Sequence, residues 1–284
     1  MAVKIIVDSS SDITKQEAQA LGVTMLPIPI NFGEEDYMDG VDITKTEFYD
    51  KLASCVELPK TSQISAYRFE EAFDAHVNNG DEVVAIVLSS KLSATCDNAI
   101  NVSKKYNGKV YVVDSLSATA GMRILVDYAL RLVNENKSAK EIYELLEEKK
   151  SKVQIRAMID TLKYLKKGGR ISPLLAFAGE MMGIKPMVAV IDGKVEVVGK
   201  TLGLKKGVNL INKDIERFGG MDLTMPHYVI YSGTGEFEER ADKYIELNAS
   251  SWGCDPKDLK KNCIGATIGT HIGHGAIGVV YFSK

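Results

Sequence analysis

Three times in the first half of the chain a short apolar run hands over to a loop of hydroxyls and acids, and a helical pattern follows. Residues 3–7 lead into Asp8-Ser9-Ser10-Ser11-Asp12, residues 82–88 into Ser89-Ser90-Lys91, and residues 109–113 into Asp114-Ser115. A strand whose residues are apolar at successive rather than alternate positions is buried on both faces, the usual state of a parallel strand covered by helices. Helical spacing at 46–52, 66–78, 93–106, 121–135 and 139–149 supplies the covering layers. The expectation is an α/β fold with a mainly parallel N-terminal sheet. In such sheets ligands bind beyond the carboxyl ends of the strands, which is where these hydroxyl loops fall.

The pattern changes near residue 155, which divides the chain into an N-terminal α/β domain over 1–155 and a C-terminal α/β domain with a mixed sheet over 156–284. Residues 153–158 read as a strand, 160–167 as a helix, and 173–182, opened by Pro173, as a second helix. Asp192-Gly193 between two β-patterned runs predicts a hairpin. Helices at 205–218 and 236–248, and strands at 227–231 and 276–282, complete the second unit. Residues 23–32, with Pro27 and Pro29, fit an edge strand or an extended connection.

Composition excludes several classes. The 284 residues carry a formal charge of -3 without a long basic run, which disfavours nucleic acid as a partner. No apolar stretch nears the roughly 20 residues that span a bilayer, and the first residues lack a secretory cleavage pattern, so the expected location is the cytoplasm, without stable membrane insertion. Cys55, Cys96, Cys254 and Cys263 stand far apart, unlike a zinc ribbon or a disulfide scaffold.

The candidate site residues are hydroxyls with no activating neighbour. Thr61 and Ser62, in Pro59-Lys60-Thr61-Ser62-Gln63, precede a helix for which Ser65 is a natural cap. Ser93 lies in the second hydroxyl loop. Should Thr61 and Ser93 meet across the sheet edge, their hydroxyls would bind a carboxylate or phosphate without catalysis. The Asp8–Asp12 loop reads as a cap, with the wall of an anion pocket as its alternative. Gly168-Gly169-Arg170 joins an ordinary helix C-cap to a guanidinium suited to a carboxylate or to a domain contact. The run from Gly265 to Ala276 holds four glycines, which permit tight turns and close approach to a ligand, and includes His271 and His274, whose spacing invites a metal reading without a third ligand to complete it.

In their order and spacing, VDSSSDI, PKTSQIS, SSKLSAT, VVDSLSATAG, LKYLKKGGRIS, IKPMVAVIDGKVEV and GTHIGHGAIGVVYF resemble the DegV family of bacterial fatty acid-binding proteins over nearly the whole chain. The resemblance implies two domains with a long-chain fatty acid in a buried tunnel between them. It further implies a non-catalytic binding subunit that presents the acyl carboxylate to a separate ATP-dependent fatty acid kinase subunit, whose acyl phosphate product feeds phospholipid synthesis. ATP and magnesium would then belong to the partner, and this chain would need no cofactor and no metal. Carried over motif by motif, Thr61, Ser93 and His271 bind the carboxylate. Ser62, Arg170, Gly269 and Thr270 support the site or contact the partner.

Two positions depart from the family pattern: Ala94 stands where glycine is usual, and His274 where proline is usual. Ala94 would narrow the backbone approach or be absorbed by a helix start, and His274 changes loop stiffness. Two other functions compete with the acyl carrier. One is a small-molecule ester hydrolase using Ser93 or Ser62 with His271, although no G-x-S-x-G motif surrounds either serine. The other is a lipid-independent regulatory interaction protein.

Overall fold

A computed structural model describes residues 2–172 and 183–284. The first layer is a four-stranded, wholly parallel sheet in the order β2-β1-β6-β7, built from β1 (Val3–Asp8), β2 (Thr24–Leu26), β6 (Glu82–Val87) and β7 (Val110–Asp114). Every residue of β6 after Glu82 is buried, as expected for a strand covered on both faces. A small antiparallel sheet, β4-β3-β5, combines β3 (Pro29–Phe32), β4 (Glu35–Met38) and β5 (Lys60–Thr61). The 23–32 segment is therefore two strands: β2 forms the edge of the parallel sheet, and β3 opens on Pro29, a strand position where the missing N–H is tolerated.

The second layer is a six-stranded mixed sheet in the order β10-β9-β8-β13-β11-β12. It contains β8 (Val153–Met158), β9 (Ile184–Ile191), β10 (Lys194–Leu202), β11 (Tyr228–Tyr231), β12 (Lys260–Cys263) and β13 (Ile277–Phe282). Only β11 and β12 pair in parallel; the other neighbours are antiparallel. Strand β8 joins this sheet and straddles the division expected between residues 155 and 156. The hairpin forms at Asp192 and Gly193, both at positive φ, as a two-residue turn matched to strand twist requires.

The helices are α1 (Lys15–Leu21), α2 (Lys45–Ser54), α3 (Ala66–Val77), α4 (Thr95–Ser103), α5 (Ala120–Asn134), α6 (Ala139–Lys149), α7 (Lys163–Lys167), α8 (Leu204–Arg217), α9 (Glu236–Trp252) and α10 (Ala266–Ile272) among the described residues. Helix α5 fills the space between the two main sheets. Nine of its fifteen residues are buried, far more than a one-faced amphipathic helix hides. Its Asp127 accepts a hydrogen bond from the Tyr228 hydroxyl on β11 at 2.7 Å, and Arg123 reaches Asn262 on β12 at 3.2 Å. A continuous apolar core therefore runs from β1 and β6 through α5 to β8 and β13. The helix expected at 173–182 lies outside the described residues.

The glycine-rich run departs from its reading as turns: residues 266–272 form the helix α10. Gly269 serves packing inside that helix, since a Cβ there would lie 2.6 Å from Phe48 Cε1 and 3.0 Å from the Tyr49 hydroxyl, both on α2. Left-handed backbone is needed only at its end, at Gly273 and Gly275.

Candidate functional site

Four short elements converge on a cavity between the layers. Strand β5 places Thr61 by pairing it with Ile30 on β3. The loop after β6 places Ser93. Helix α7 ends in a left-handed Gly169, with the Arg170 N–H donating to Leu165 O at 3.0 Å, a helix-terminating bond that fixes the start of the Arg170 side chain. Helix α10 carries His271 in its second turn. Thr61, Ser62, Ser93, Arg170 and His271 all lie on the cavity wall, and the rest of that wall is mostly leucine, isoleucine, valine and alanine from both halves of the chain. Its enclosed volume is about 60 Å³. Thr61, Arg170 and His271 also face an open cleft of about 560 Å³ whose other walls include Lys60, Lys167 and Thr270. These three side chains thus separate an apolar interior from a polar mouth.

Each of the two hydroxyls has a polar side-chain partner. Thr61 Oγ1 is 2.9 Å from His271 Nε2. With the ring proton on Nε2, the imidazole donates to threonine and leaves the threonine O–H to donate into the cavity. Ser93 Oγ accepts the Thr95 N–H at 3.2 Å and pairs with Thr95 Oγ1 at 3.0 Å, while Thr95 Oγ1 accepts the Ile64 N–H at 3.2 Å. When the Thr95 hydroxyl donates to Ser93, the serine O–H is likewise released to a ligand. Among the described residues no serine hydroxyl is bonded to His271, so the Ser–His pair that an ester hydrolase needs is not formed by Ser62 or Ser93.

Burial, reinforced by the Arg170 guanidinium, pushes His271 down to about 4, so the imidazole is neutral at physiological pH. Its Nδ1 is buried without a hydrogen-bond partner among the described residues. That atom faces Gly168, where a Cβ would come within 2.2 Å. Arg170 donates from Nε to Leu92 O at 3.2 Å and from Nη1 to Gly168 O at 2.5 Å, tying the α7 loop to the Ser93 loop. Its support of the site therefore runs through backbone carbonyls.

The remaining sequence candidates sort by environment. Thr270 is buried, donates to Ala266 O at 2.9 Å and lines the mouth; Gly269 lines neither space and packs on α2. Ser62 is exposed at the rim, its N–H donating to Pro29 O at 3.0 Å. Ala94 sits at the start of α4 with φ -75°, so its methyl group is absorbed there. His274 packs against Tyr49 and Phe237, with ring centroids 5.1 and 5.9 Å away, and no group of three metal-ligating side chains gathers among the described residues. The Asp8–Asp12 loop acts as a cap, with the Asp8 side chain accepting the Ser10 N–H, while Ser9 and Asp12 also line a separate cleft. Asp8, Ser9, Ser10, Ser11 and Asp12 are all buried, and Asp8 accepts the N–H groups of Ser10 and Leu88 at 3.0 and 2.7 Å. The sequence pattern singled out Gly168 only as part of a helix C-cap and gave Thr95 no role of its own; a hydroxyl two residues after Ser93 was the available signal for the latter.

Comparison with known proteins decides the family. The family model described as "Uncharacterised protein, DegV family" matches residues 2–284. The chain belongs to the DegV family. A DegV domain-containing protein of Caldanaerobacter subterraneus is 32% identical, with 99% of both chains covered, and one of Deinococcus radiodurans is 30% identical, with 98% of both covered. Among solved structures, a DegV family protein from Thermus thermophilus described by its fatty acid binding matches with a TM-score of 0.88 at 30% identity over 100% of both chains. A stearic acid-binding protein from Eubacterium ventriosum gives 0.86 at 26%, covering 100% of this chain and 99% of its own. DegV of Bacillus subtilis, described as a fatty acid-binding protein, gives 0.83 at 27% over 100% of both. The two-layer arrangement of parallel and mixed sheets is thus the DegV fold.

Proposed function

We propose that this DegV protein binds a long-chain fatty acid between its two layers and presents the carboxylate to a separate ATP-dependent kinase subunit in the cytoplasm. The observation that carries the reading is the presence of Thr61, Ser93 and His271 on the wall of one mostly apolar cavity. Binding of fatty acids by relatives of the same fold supports it. A carboxylate held by the Thr61 and Ser93 hydroxyls keeps the hydrogen bonds that a bare apolar cavity would deny it. The tail contributes roughly 0.8 kcal/mol per buried CH2, so affinity comes mostly from the tail and orientation from the head. The cavity, of about 60 Å³, is smaller than a long-chain fatty acid as it stands.

The partner's approach follows from the same geometry. The outer face of the head group looks into the mouth, where Lys60, Lys167 and Arg170 outnumber Glu57 in a chain whose net charge is -3. A nucleoside triphosphate held by a partner meets its acceptor carboxylate there, so ATP, magnesium and the chemistry of transfer reside on the partner. Acyl phosphate formed in this way would supply phospholipid synthesis. Among the described residues no helix is long and apolar enough to cross a membrane.

Native mass spectrometry of protein purified from a bacterial host tests the core of the reading. A copurifying or exchangeable long-chain fatty acid is the expected result; folded protein that neither carries nor takes up one refutes it.

A further inference from the structure

Helix α10 begins without a side-chain cap of its own, because its N-cap residue is Gly265. The N–H groups at its start are instead met by two aspartates from the other end of the chain. The Gly265 N–H donates to Asp12 Oδ1 at 2.8 Å, and the Thr267 N–H donates to Asp39 Oδ2 at 3.1 Å. The Thr267 hydroxyl adds a second bond to the same Asp39 oxygen at 2.6 Å. Both aspartates are buried, Asp39 4% exposed and Asp12 2% exposed.

Each carboxylate is fixed by its surroundings as well. Asp12 also accepts from Asn262 Nδ2 at 2.8 Å and from the Thr119 hydroxyl, and Lys45 Nζ donates to its backbone carbonyl at 2.9 Å. Asp39 is anchored where its segment bridges Ile43. Negative charge at a helix start is favoured by the free N–H groups there, which repays part of the cost of burying two carboxylates.

The mechanical consequence follows from the length of α10. It has seven residues, barely two turns, so Thr267 and His271, four apart, lie on one face and move together. At the far end His271 Nε2 meets Thr61 at 2.9 Å. Along the side, Gly269 lies against Phe48 and Tyr49 too closely to admit a Cβ. The helix is thus located by its start and its flank, and the imidazole goes where they send it.

We propose that Asp39, backed by Asp12, is a positioning residue of the head-group site: by gripping the first turn of α10 it sets His271 against Thr61 and so sets the preference for a carboxylate over an uncharged head. The inference rests on the fatty acid reading for its ligand, and on geometry alone for its effect on His271.

The test compares hexadecanoic acid with its methyl ester, which share a tail and differ at the head, on wild type, Asp39→Ala, Asp39→Asn and Thr267→Val. Wild type is expected to prefer the acid by at least tenfold. Asp39→Ala is expected to cut that preference at least fivefold while ester binding changes less than twofold, and Asp39→Asn, which keeps an acceptor oxygen, to restore most of it. Equal losses for acid and ester, or an undiminished preference in Asp39→Ala, overturn the proposal. Should Asp39→Ala not fold, the His271 titration of Thr267→Val decides in its place, because Thr267 itself lines the cavity and its binding change alone would not isolate the Asp39 contact. A second readout needs no ligand: the ring NMR titration of His271, held near 4 by burial, should rise toward 6.5 in Asp39→Ala as the helix loosens. An unchanged midpoint overturns the inference. If wild type binds neither acid nor ester, the fatty acid reading fails, and the titration still judges the positioning role.

Discussion

Adding one methyl group at Gly168 should disable the head-group site. The residue has φ -75°, so alanine meets no backbone penalty and the perturbation is purely steric. A Cβ there would stand 2.2 Å from His271 Nδ1 and 2.9 Å from Cε1, whereas ordinary van der Waals contact begins near 3.4 Å. Relief requires the ring or the α7 loop to retreat by more than about 1 Å, the scale on which overpacked cores typically lose 1–3 kcal/mol. A retreating ring stretches the 2.9 Å bond to Thr61 beyond useful length. If the cost falls on the bound geometry, fatty acid affinity drops by roughly fivefold to 150-fold. Gly169→Ala is the control. That position has φ +69° with nothing among the described residues within 4 Å of a Cβ, so alanine there incurs about 1–2 kcal/mol of backbone strain without touching His271. Calorimetric binding of hexadecanoate and thermal melts on both variants separate the effects. Gly168→Ala should lose affinity, and Gly169→Ala should lose melting temperature while binding within about twofold of wild type. Wild-type affinity in Gly168→Ala, or equal binding losses in the two, would refute the steric argument.

Other perturbations read other parts of the site. Thr61→Ala and Ser93→Ala should each weaken hexadecanoate binding by about 1–3 kcal/mol, the worth of a hydrogen bond to a charged group, and leave the methyl ester nearly unaffected; competition with a fluorescent fatty acid measures both. The double variant Lys60→Glu/Lys167→Glu reverses charge at the mouth and should slow acyl phosphate formation by a kinase partner, measured with saturating fatty acid, while fatty acid affinity stays within about threefold. Folded His271 titrates near 4 and an unfolded histidine near 6.5, so its contribution to stability is complete above 6.5 and is lost as pH falls toward 4, by roughly 3 kcal/mol at most. The stability of His271→Gln relative to wild type should therefore rise between pH 6.5 and 4 in denaturant melts. Asp8, pushed up to about 6 by burial, gains stability over the same range, but it is common to both proteins and cancels.

Much of this architecture was legible because the signals were local. Strands β1 and β6 are buried over most of their length and β7, at the sheet edge, is at least half-buried, so their apolar runs are nearly continuous, and the hairpin needed only Asp192-Gly193. The elements that escaped notice depend on partners elsewhere. Strand β4 (Glu35–Met38) is exposed and charged, and β12 (Lys260–Cys263) reads Lys-Lys-Asn-Cys; each is a strand because a neighbour offers it an edge. Propensity has little to say about a segment whose hydrogen bonds are all supplied from outside.

The glycine-rich stretch shows why the site was harder to read than the fold. Four glycines within a few residues favour turns in an isolated chain, and helix propensity opposes α10 by about 1 kcal/mol for each glycine in its interior. Tertiary structure reverses that preference. Asp12 and Asp39 hold the first N–H groups, and the absence of a side chain at Gly269 lets α10 settle against Phe48 and Tyr49. The glycine is there for a neighbouring helix, and the aspartates that complete the helix lie more than two hundred residues away in sequence. The same distance separates Thr61 from His271. Motif order could place each of these residues in a loop or on a helix, but the short bonds among them arise only once α5 has brought the parallel and mixed sheets together. A chemical site built on the contact between two layers is specified by residues that carry no local sign of it.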